Sequence, residues 1–328
     1  MKPANLMTLS LWAGAFALAA WALKEINLDT IIWQVKQLSF FQWCIWLLLN
    51  IFVTLFSTLR WHLLLSALSS SVSLWRLLVI RLAGQTISFI TPGPQFGGEP
   101  LQVYWLYKRC AIPLHRAIIS LGLDRCFELW VNFSVLLIGA LYLLLSPTMA
   151  FAQWGQIALV LCALAFAMPA VLFYFLRSPN KLLDRIKTLS KRWLTHPKLT
   201  TREESWQQLE ADFLRLNSHH RGALLQALSI SIVGWGIILG ELYFLLHLLD
   251  IYLPVQSFVL IAVSIRLAML LPLPGGIGTI EAALLWCFQM LELQTSDAFA
   301  LIALMRLRDL TILAAGFASL RTVRSFQA

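Results

Sequence analysis

Residues 91–109, TPGPQFGGEPLQVYWLYKR, set prolines, glycines and a glutamate inside sequence otherwise apolar enough for a bilayer. Proline removes a backbone donor and glycine accepts almost any backbone geometry, so this run does not encode a plain spanning helix. About 180 residues later, residues 271–281, LPLPGGIGTIE, have the same make-up, with Pro92, Pro94, Gly98 and Glu99 answered by Pro272, Pro274, Gly278 and Glu281. The chain reads as two related halves, each organised around one broken segment.

Outward from those breaks the chain is apolar. Of 328 residues 59% are hydrophobic and only 12% charged, with a mean hydropathy of +0.75. Soluble domains carry roughly twice that share of charge, so the composition predicts a polytopic membrane protein. Uncharged runs long enough to cross the bilayer, roughly 20 residues each, lie at 3–23, 37–59 and 222–240, and the uncharged run 129–176 divides near Ser146 and Pro147 into two spans. The first run reads as a span and not a signal peptide: its apolar core is too long and no A-x-A-like site precedes charged sequence.

The net charge of +9 does not point to nucleic acid, because ten of the 25 Lys and Arg collect between Arg177 and Arg221. By the positive-inside rule that loop is cytoplasmic. It holds two amphipathic helical candidates, one with Leu182, Ile186, Leu189 and Trp193, the other with Trp206, Leu209, Phe213 and Leu216 behind a Thr201 and Glu204 capping box. Their expected place is the membrane surface, held partly by anionic lipids.

Threading the spans from a cytoplasmic amino terminus gives an all-α integral membrane fold. Span 5–23 goes out and span 39–59 returns to Arg60, followed by an interfacial stretch anchored by Trp61 and Trp75. Arms 77–90 and 101–108 then flank the first break, too short to cross alone, and read as a re-entrant hairpin entering from the cytoplasm. Two spans follow to Leu176, then the basic loop, a span 222–249, a second hairpin 255–290 entering from outside, and a last span 298–320. The expectation is six full transmembrane spans plus two re-entrant Pro/Gly-broken hairpins in inverted-topology halves, both termini cytoplasmic. The parts are an N-terminal membrane half 1–176, the basic loop 177–221 and a C-terminal membrane half 222–328. With an offset of 183, Ala117, Leu121 and Arg125 coincide with Ala300, Leu304 and Arg308 on the helices after the hairpins.

Irregular backbone at membrane depth is tolerated only where it is buried in protein or lines a water-filled cavity. Two breaks therefore imply a polar interior, the architecture in which secondary transporters bind ligands near the midplane. The candidate substrate-binding residues are Pro92 and the glycines Gly97, Gly98, Gly275, Gly276 and Gly278, whose N–H groups can approach an anion, together with Glu99, Glu281, Arg81, Arg125, Arg266 and Arg308. The glycines read equally as tight turns packing hairpin against bundle. Buried ionisable groups in a membrane face the bundle interior and pair, so the arginines and glutamates read either as a phosphate site or as structural pairs that keep the hairpins docked. His247 reads as a packed residue.

No catalytic constellation is present: no G-x-S-x-G, H-E-x-x-H, acidic DxD-like pair or P-loop. The five cysteines are scattered without C-x-x-C or a His cluster, so neither a metal nor another cofactor is expected.

The double break TPGPQFGGEP…LYKR and LPLPGGIGTIEAALL, with the helix reaching LGLDRCFEL and the arginine-bearing last helix, resembles the transmembrane region of lysylphosphatidylglycerol synthases, also called flippase-like domain proteins. The resemblance covers about residues 7–320. It implies a bacterial inner-membrane protein, one that moves an aminoacylated or other phospholipid between leaflets. The bifunctional members carry a soluble aminoacyl-transferase domain after the membrane part; no such domain follows here, so lysyl-lipid synthesis is not carried over. The expected function is therefore a lipid translocase, with an integral membrane enzyme using Glu99 or Glu281 as base, or a non-transporting scaffold, as alternatives. Membrane phospholipids are the expected partners; a second copy of the chain or a lipid-synthesising protein stays open.

Overall fold

A computed structural model of the chain describes residues 38–68, 70–91, 97–146, 152–177, 221–271 and 273–326. Among them the chain forms nine α-helices and a short 3-10 turn, with no strand. The helices are α1 (Phe40–Ala67), α2 (Leu74–Ile90), α3 (Glu99–Arg109), α4 (Leu114–Leu145), α5 (Ala152–Arg177), α6 (Arg221–Leu248), α7 (Val255–Met269), α8 (Thr279–Met290) and α9 (Thr295–Ser325); the 3-10 turn Pro274–Gly276 lies between α7 and α8. The predicted first span, Pro92, Pro94 and Pro272, and nearly all of the basic loop and its amphipathic helices lie outside the described residues.

Local signals set the helix starts. Ser39 and Gln42 form a reciprocal capping box at α1, and the Ser73 hydroxyl accepts from the Arg76 N–H at α2. Four helices are long and apolar enough to cross a membrane by length and composition: α1, α4, the 154–171 portion of α5, and α6. Helix α9 has the length, 31 residues, but Arg306, Arg308 and Asp309 interrupt its apolar character. The long helices expose large apolar side chains while several charged ones are buried with the apolar core. Leu47, Ile51, Ile138, Leu159, Phe166 and Ile232 are exposed on the long helices, while Arg81 and Asp124 are fully buried. Such an arrangement suits an apolar solvent.

At the first break α3 folds back along α2. The Gly98 N–H donates to Ser88 Oγ at 2.9 Å, and a Cβ on Gly84 would collide with the Gln102 side chain; contacts that run 88 to 98 and 84 to 102 are antiparallel. The backbones touch, since a Cβ on Gly98 would lie 2.0 Å from the Gly84 carbonyl oxygen, an approach only glycine permits. At the second break α8 returns along α7, and the turn is made by left-handed backbone at Gly275 (φ 56°) and Gly278 (φ 85°). A Cβ on Gly275 would strike the Phe89 ring, so the second break meets the carboxyl end of α2.

Helices of the two halves pack on each other, α6 along α1 and α9 along α2, while α5 packs along α4 within the N-terminal half. The largest apolar cluster joins α4, α5, α7, α8 and α9, with Leu136, Leu260, Leu284 and Leu301 in its centre. A second joins α1, α2, α3, α4 and the end of α9 around Trp61, Ile80 and Leu106.

One stretch departs from the sequence reading. Helix α1 does not stop at Arg60 but continues to Ala67, and Trp61 is wholly buried, its Nε1–H donating to Ser120 Oγ at 3.3 Å while the Arg81 guanidinium lies over its ring at 5.1 Å. It is a core residue and not an interfacial anchor. The reason is that Arg60 is itself buried and neutralised, so the charge does not mark a membrane boundary. Trp75, the other expected anchor, is 65% exposed.

Candidate functional site

The polar interior is built on Asp124 of α4. Fully buried, its carboxylate takes Arg60 Nε at 2.7 Å on one oxygen and Arg81 Nη2 at 2.7 Å on the other, tying α1 and α2 to α4. Arg60 also donates from its other two nitrogens to Ser231 Oγ of α6 (3.1 Å) and Glu128 of α4 (3.0 Å). A guanidinium with all three nitrogens engaged is a structural clamp.

Each hairpin glutamate is tethered in the same way. Glu99, in the first turn of α3, accepts from the Gly97 N–H at 2.7 Å, and Arg125 Nη2 lies 3.2 Å from its other oxygen, an ion pair without hydrogen-bond alignment. Arg125 also reaches Glu128, three residues on, at 2.9 Å. Glu281, in the first turn of α8, accepts from the Gly278 N–H at 2.8 Å and holds Arg306 at 2.7 Å. Arg306 reaches Asp309, again three residues on, at 2.9 Å, and donates to the carbonyls of Gly275 and Gly276 at 3.1 Å each. Both carboxylates sit where a helix amino terminus favours negative charge. One pattern therefore recurs: hairpin glutamate, glycine N–H, arginine on the next long helix, and an acid one turn further.

Between these assemblies lies a cavity of about 270 Å³. It is bounded by α1 from Asn50 to Arg60, by α2, by α6 from Ile230 to Glu241, by the tip of the second hairpin and by Arg308 to Leu313 of α9. At 1.5 Å rise per residue, the α6 wall is roughly 16 Å long. Five arginines line it, Arg60, Arg81, Arg125, Arg266 and Arg308, against the carboxylates Glu128, Glu241 and Asp309. Arg308 is held by Asp309 at 3.2 Å and by Glu241 of α6 at 3.4 Å. The other Glu241 oxygen is buried with no hydrogen-bond partner among the described residues. Gln85, Thr86, Thr54 and Ser57 add neutral polar groups to the wall. Among the described residues no group of three or more His, Cys, Asp or Glu is placed to hold a metal ion, and the five cysteines are unpaired.

The residues expected to bind a ligand thus divide. Arg81, Arg125, Arg266, Arg308 and Gly275 line the cavity. Gly97, Gly98, Gly276, Gly278, Glu99 and Glu281 do not: the Gly97 and Gly278 N–H groups serve the hairpin glutamates, the Gly98 N–H serves Ser88, and the Gly276 N–H donates to the Leu273 carbonyl. Pro92 lies outside the described residues. His247 stands away from the cavity, stacked on Tyr243 and edge-on to Tyr252. Asp124, Glu128, Glu241, Arg306 and Asp309 are not among the residues expected from the sequence; the available signal is that each is an ionisable residue in or beside an apolar run.

The chain matches the family described as Lysylphosphatidylglycerol synthase TM region over residues 7–316. A UPF0104 membrane protein of Methanothermobacter thermautotrophicus is 25% identical over 236 residues, covering 70% of this chain and 69% of the relative. A second UPF0104 membrane protein, from Methanocaldococcus jannaschii, is 22% identical over 267 residues, covering 79% and 78%. No solved structure matches the chain.

Proposed function

Because the chain belongs to the Lysylphosphatidylglycerol synthase TM region family and is an α-helical, multi-pass membrane protein, we propose that it is a lipid translocase, carrying a phospholipid or other lipid with an anionic or aminoacylated head group between leaflets. The observation that carries this reading is the charged cavity lodged among apolar helices where the second break meets α2. A volume of about 270 Å³ is near the small end of ligand pockets, ~300 Å³. It suits a polar head group, while acyl chains would stay in the bilayer beside the apolar outer faces of α1 and α6.

The membrane arrangement in this reading is six spans and two re-entrant hairpins in inverted halves, within the bacterial inner membrane and with both termini cytoplasmic. The two relatives are archaeal, so the same arrangement would serve a cytoplasmic membrane of either kind. The basic loop would rest on anionic lipid at the inner surface. Transport would alternate the breaking of one hairpin tether with the making of the other, each tether being a compact set of ion pairs beside the cavity.

The reading is of a translocase and not an enzyme. Glu99 and Glu281 are poorly placed as general bases, each carboxylate being occupied by a backbone N–H and an arginine. The test is purified protein in liposomes containing head-group-labelled lipids, with an impermeant quencher outside. Label from the inner leaflet should become accessible faster than in protein-free vesicles, with a preference among head groups. Intact vesicles with folded protein and no movement of any lipid overturn the reading and favour a scaffold for a lipid-modifying partner.

A further inference from the structure

We propose that Arg266 of α7 is the anion receptor of the cavity, its guanidinium taking a phosphate or phosphodiester oxyanion while stacked on Trp235 of α6. This rests on the reading of the cavity as a head-group chamber, and the experiment below separates the two. The reason to single out Arg266 is its lack of an acid. Arg60, Arg81, Arg125 and Arg308 each have a carboxylate within 4 Å; among the described residues Arg266 has none. Its contacts are the Trp235 ring, 4.8 Å from the guanidinium carbon to the ring centroid, and the Met269 thioether at 3.8 Å.

An arginine at membrane depth is ordinarily paired. Here a ring face supports the cation and Nη1 donates to the soft Met269 sulfur, so that among the described residues Nε and Nη2, one edge of the planar fork, have no acceptor and can meet an oxyanion in two-point fashion. The charged groups near enough to act on it are Arg308, Glu241 and Glu128. Glu241 is turned toward Arg308, and Glu128 is shared by Arg60 and Arg125. Both acids thus pair with other arginines, one Glu241 oxygen is left without a partner, and neither acid comes within 4 Å of Arg266. Arg266 lines the cavity together with Gly275 and Met269 at the second hairpin, so an anion there would bridge α6, α7 and the tip of the break. The oxyanion a bilayer supplies is the lipid phosphodiester; a free phosphate ion shares that chemistry.

The experiment is calorimetric titration of the purified full chain in uncharged detergent with short-chain phosphatidylglycerol, inorganic phosphate and a short-chain neutral diacylglycerol. The expected result is saturable binding of the first, weakened about tenfold or more in Arg266→Gln through loss of a charge-assisted pair. Arg266→Lys, which keeps the charge and loses the fork, should weaken it less, and Trp235→Leu should also weaken it. Binding of inorganic phosphate with equal strength and equal sensitivity to Arg266→Lys assigns the site to free phosphate. Should Arg266→Gln not fold, Arg266→Lys and Trp235→Leu carry the test. Phosphatidylglycerol binding unchanged in the folded Arg266 variants, or matched by the neutral diacylglycerol, overturns the proposal. Arg266-dependent binding without lipid movement in liposomes removes the translocase reading and leaves the receptor standing.

Discussion

The Arg306 guanidinium meets the Glu281 carboxylate at 2.7 Å, and the same guanidinium holds the carbonyls of Gly275 and Gly276 at the tip of the second break. One side chain thus fixes both the first turn of α8 and the irregular backbone that leads into it. Arg306→Gln should therefore destabilise the protein by about 3 kcal/mol, the scale for removing one partner of a buried pair, whereas Arg308→Gln, whose partners hold no hairpin backbone, should cost less. Thermal unfolding of the two variants in detergent, compared with the parent, checks the order.

Asp124 is the sole carboxylate within 4 Å of Arg81 among the described residues and one of two for Arg60. Asp124→Asn leaves Arg81 buried without a counter-charge and should cost about 3 kcal/mol or more. Adding Arg81→Met to that variant should recover part of the loss, because the stranded cation is removed with its solvation debt. A double-mutant cycle on unfolding temperature measures the coupling, expected to be well above the scatter for independent sites.

The contact of α3 with α2 depends on two glycines. Gly98→Ala brings a Cβ to 2.0 Å from the Gly84 carbonyl oxygen and should cost about 2 kcal/mol through overpacking. Gly122→Ala on α4, where an added Cβ meets nothing within 4 Å, should be neutral or stabilise by about 0.5–1 kcal/mol. Limited proteolysis between α2 and α3 provides a second readout: faster cleavage is expected in Gly98→Ala and not in Gly122→Ala.

Trp61→Leu should lower stability by about 3 kcal/mol, as for large-to-small changes in a core, and Trp75→Leu by much less. The pair tests the placement of the α1 carboxyl end, and unfolding temperature again reads it.

The breaks and the glutamates that follow them were legible, because proline, glycine and an acid inside apolar sequence have few other uses at membrane depth. Which arginine serves which glutamate was not. An offset of 183 aligns Arg125 with Arg308, but the partner of Glu281 is Arg306, an offset of 181. On a helix two residues lie roughly 200° apart, so Arg306 faces the second hairpin while Arg308 faces Glu241 of α6. Register between halves cannot be read from apolar matches that cost nothing to make. Trp61 departs from its expected place for a related reason: in sequence Arg60 marks the end of a span, but in the fold Asp124 and Glu128, more than 60 residues away in sequence, neutralise it. The uncharged runs within α4 and α6 are plain in the sequence, but the pairing of Glu128 and Glu241 with arginines other than Arg266 exists only in three dimensions.

The most direct measurement is the liposome quenching assay run on Glu99→Gln, Arg125→Gln and Arg308→Gln beside the parent, each variant first shown to be folded. The account predicts head-group-selective lipid movement in the parent and its loss in all three variants, because each change disables a hairpin tether or a cavity wall. Equal movement in the parent and in all three folded variants would contradict it, since lipid would then cross without using the charged cavity between the two breaks.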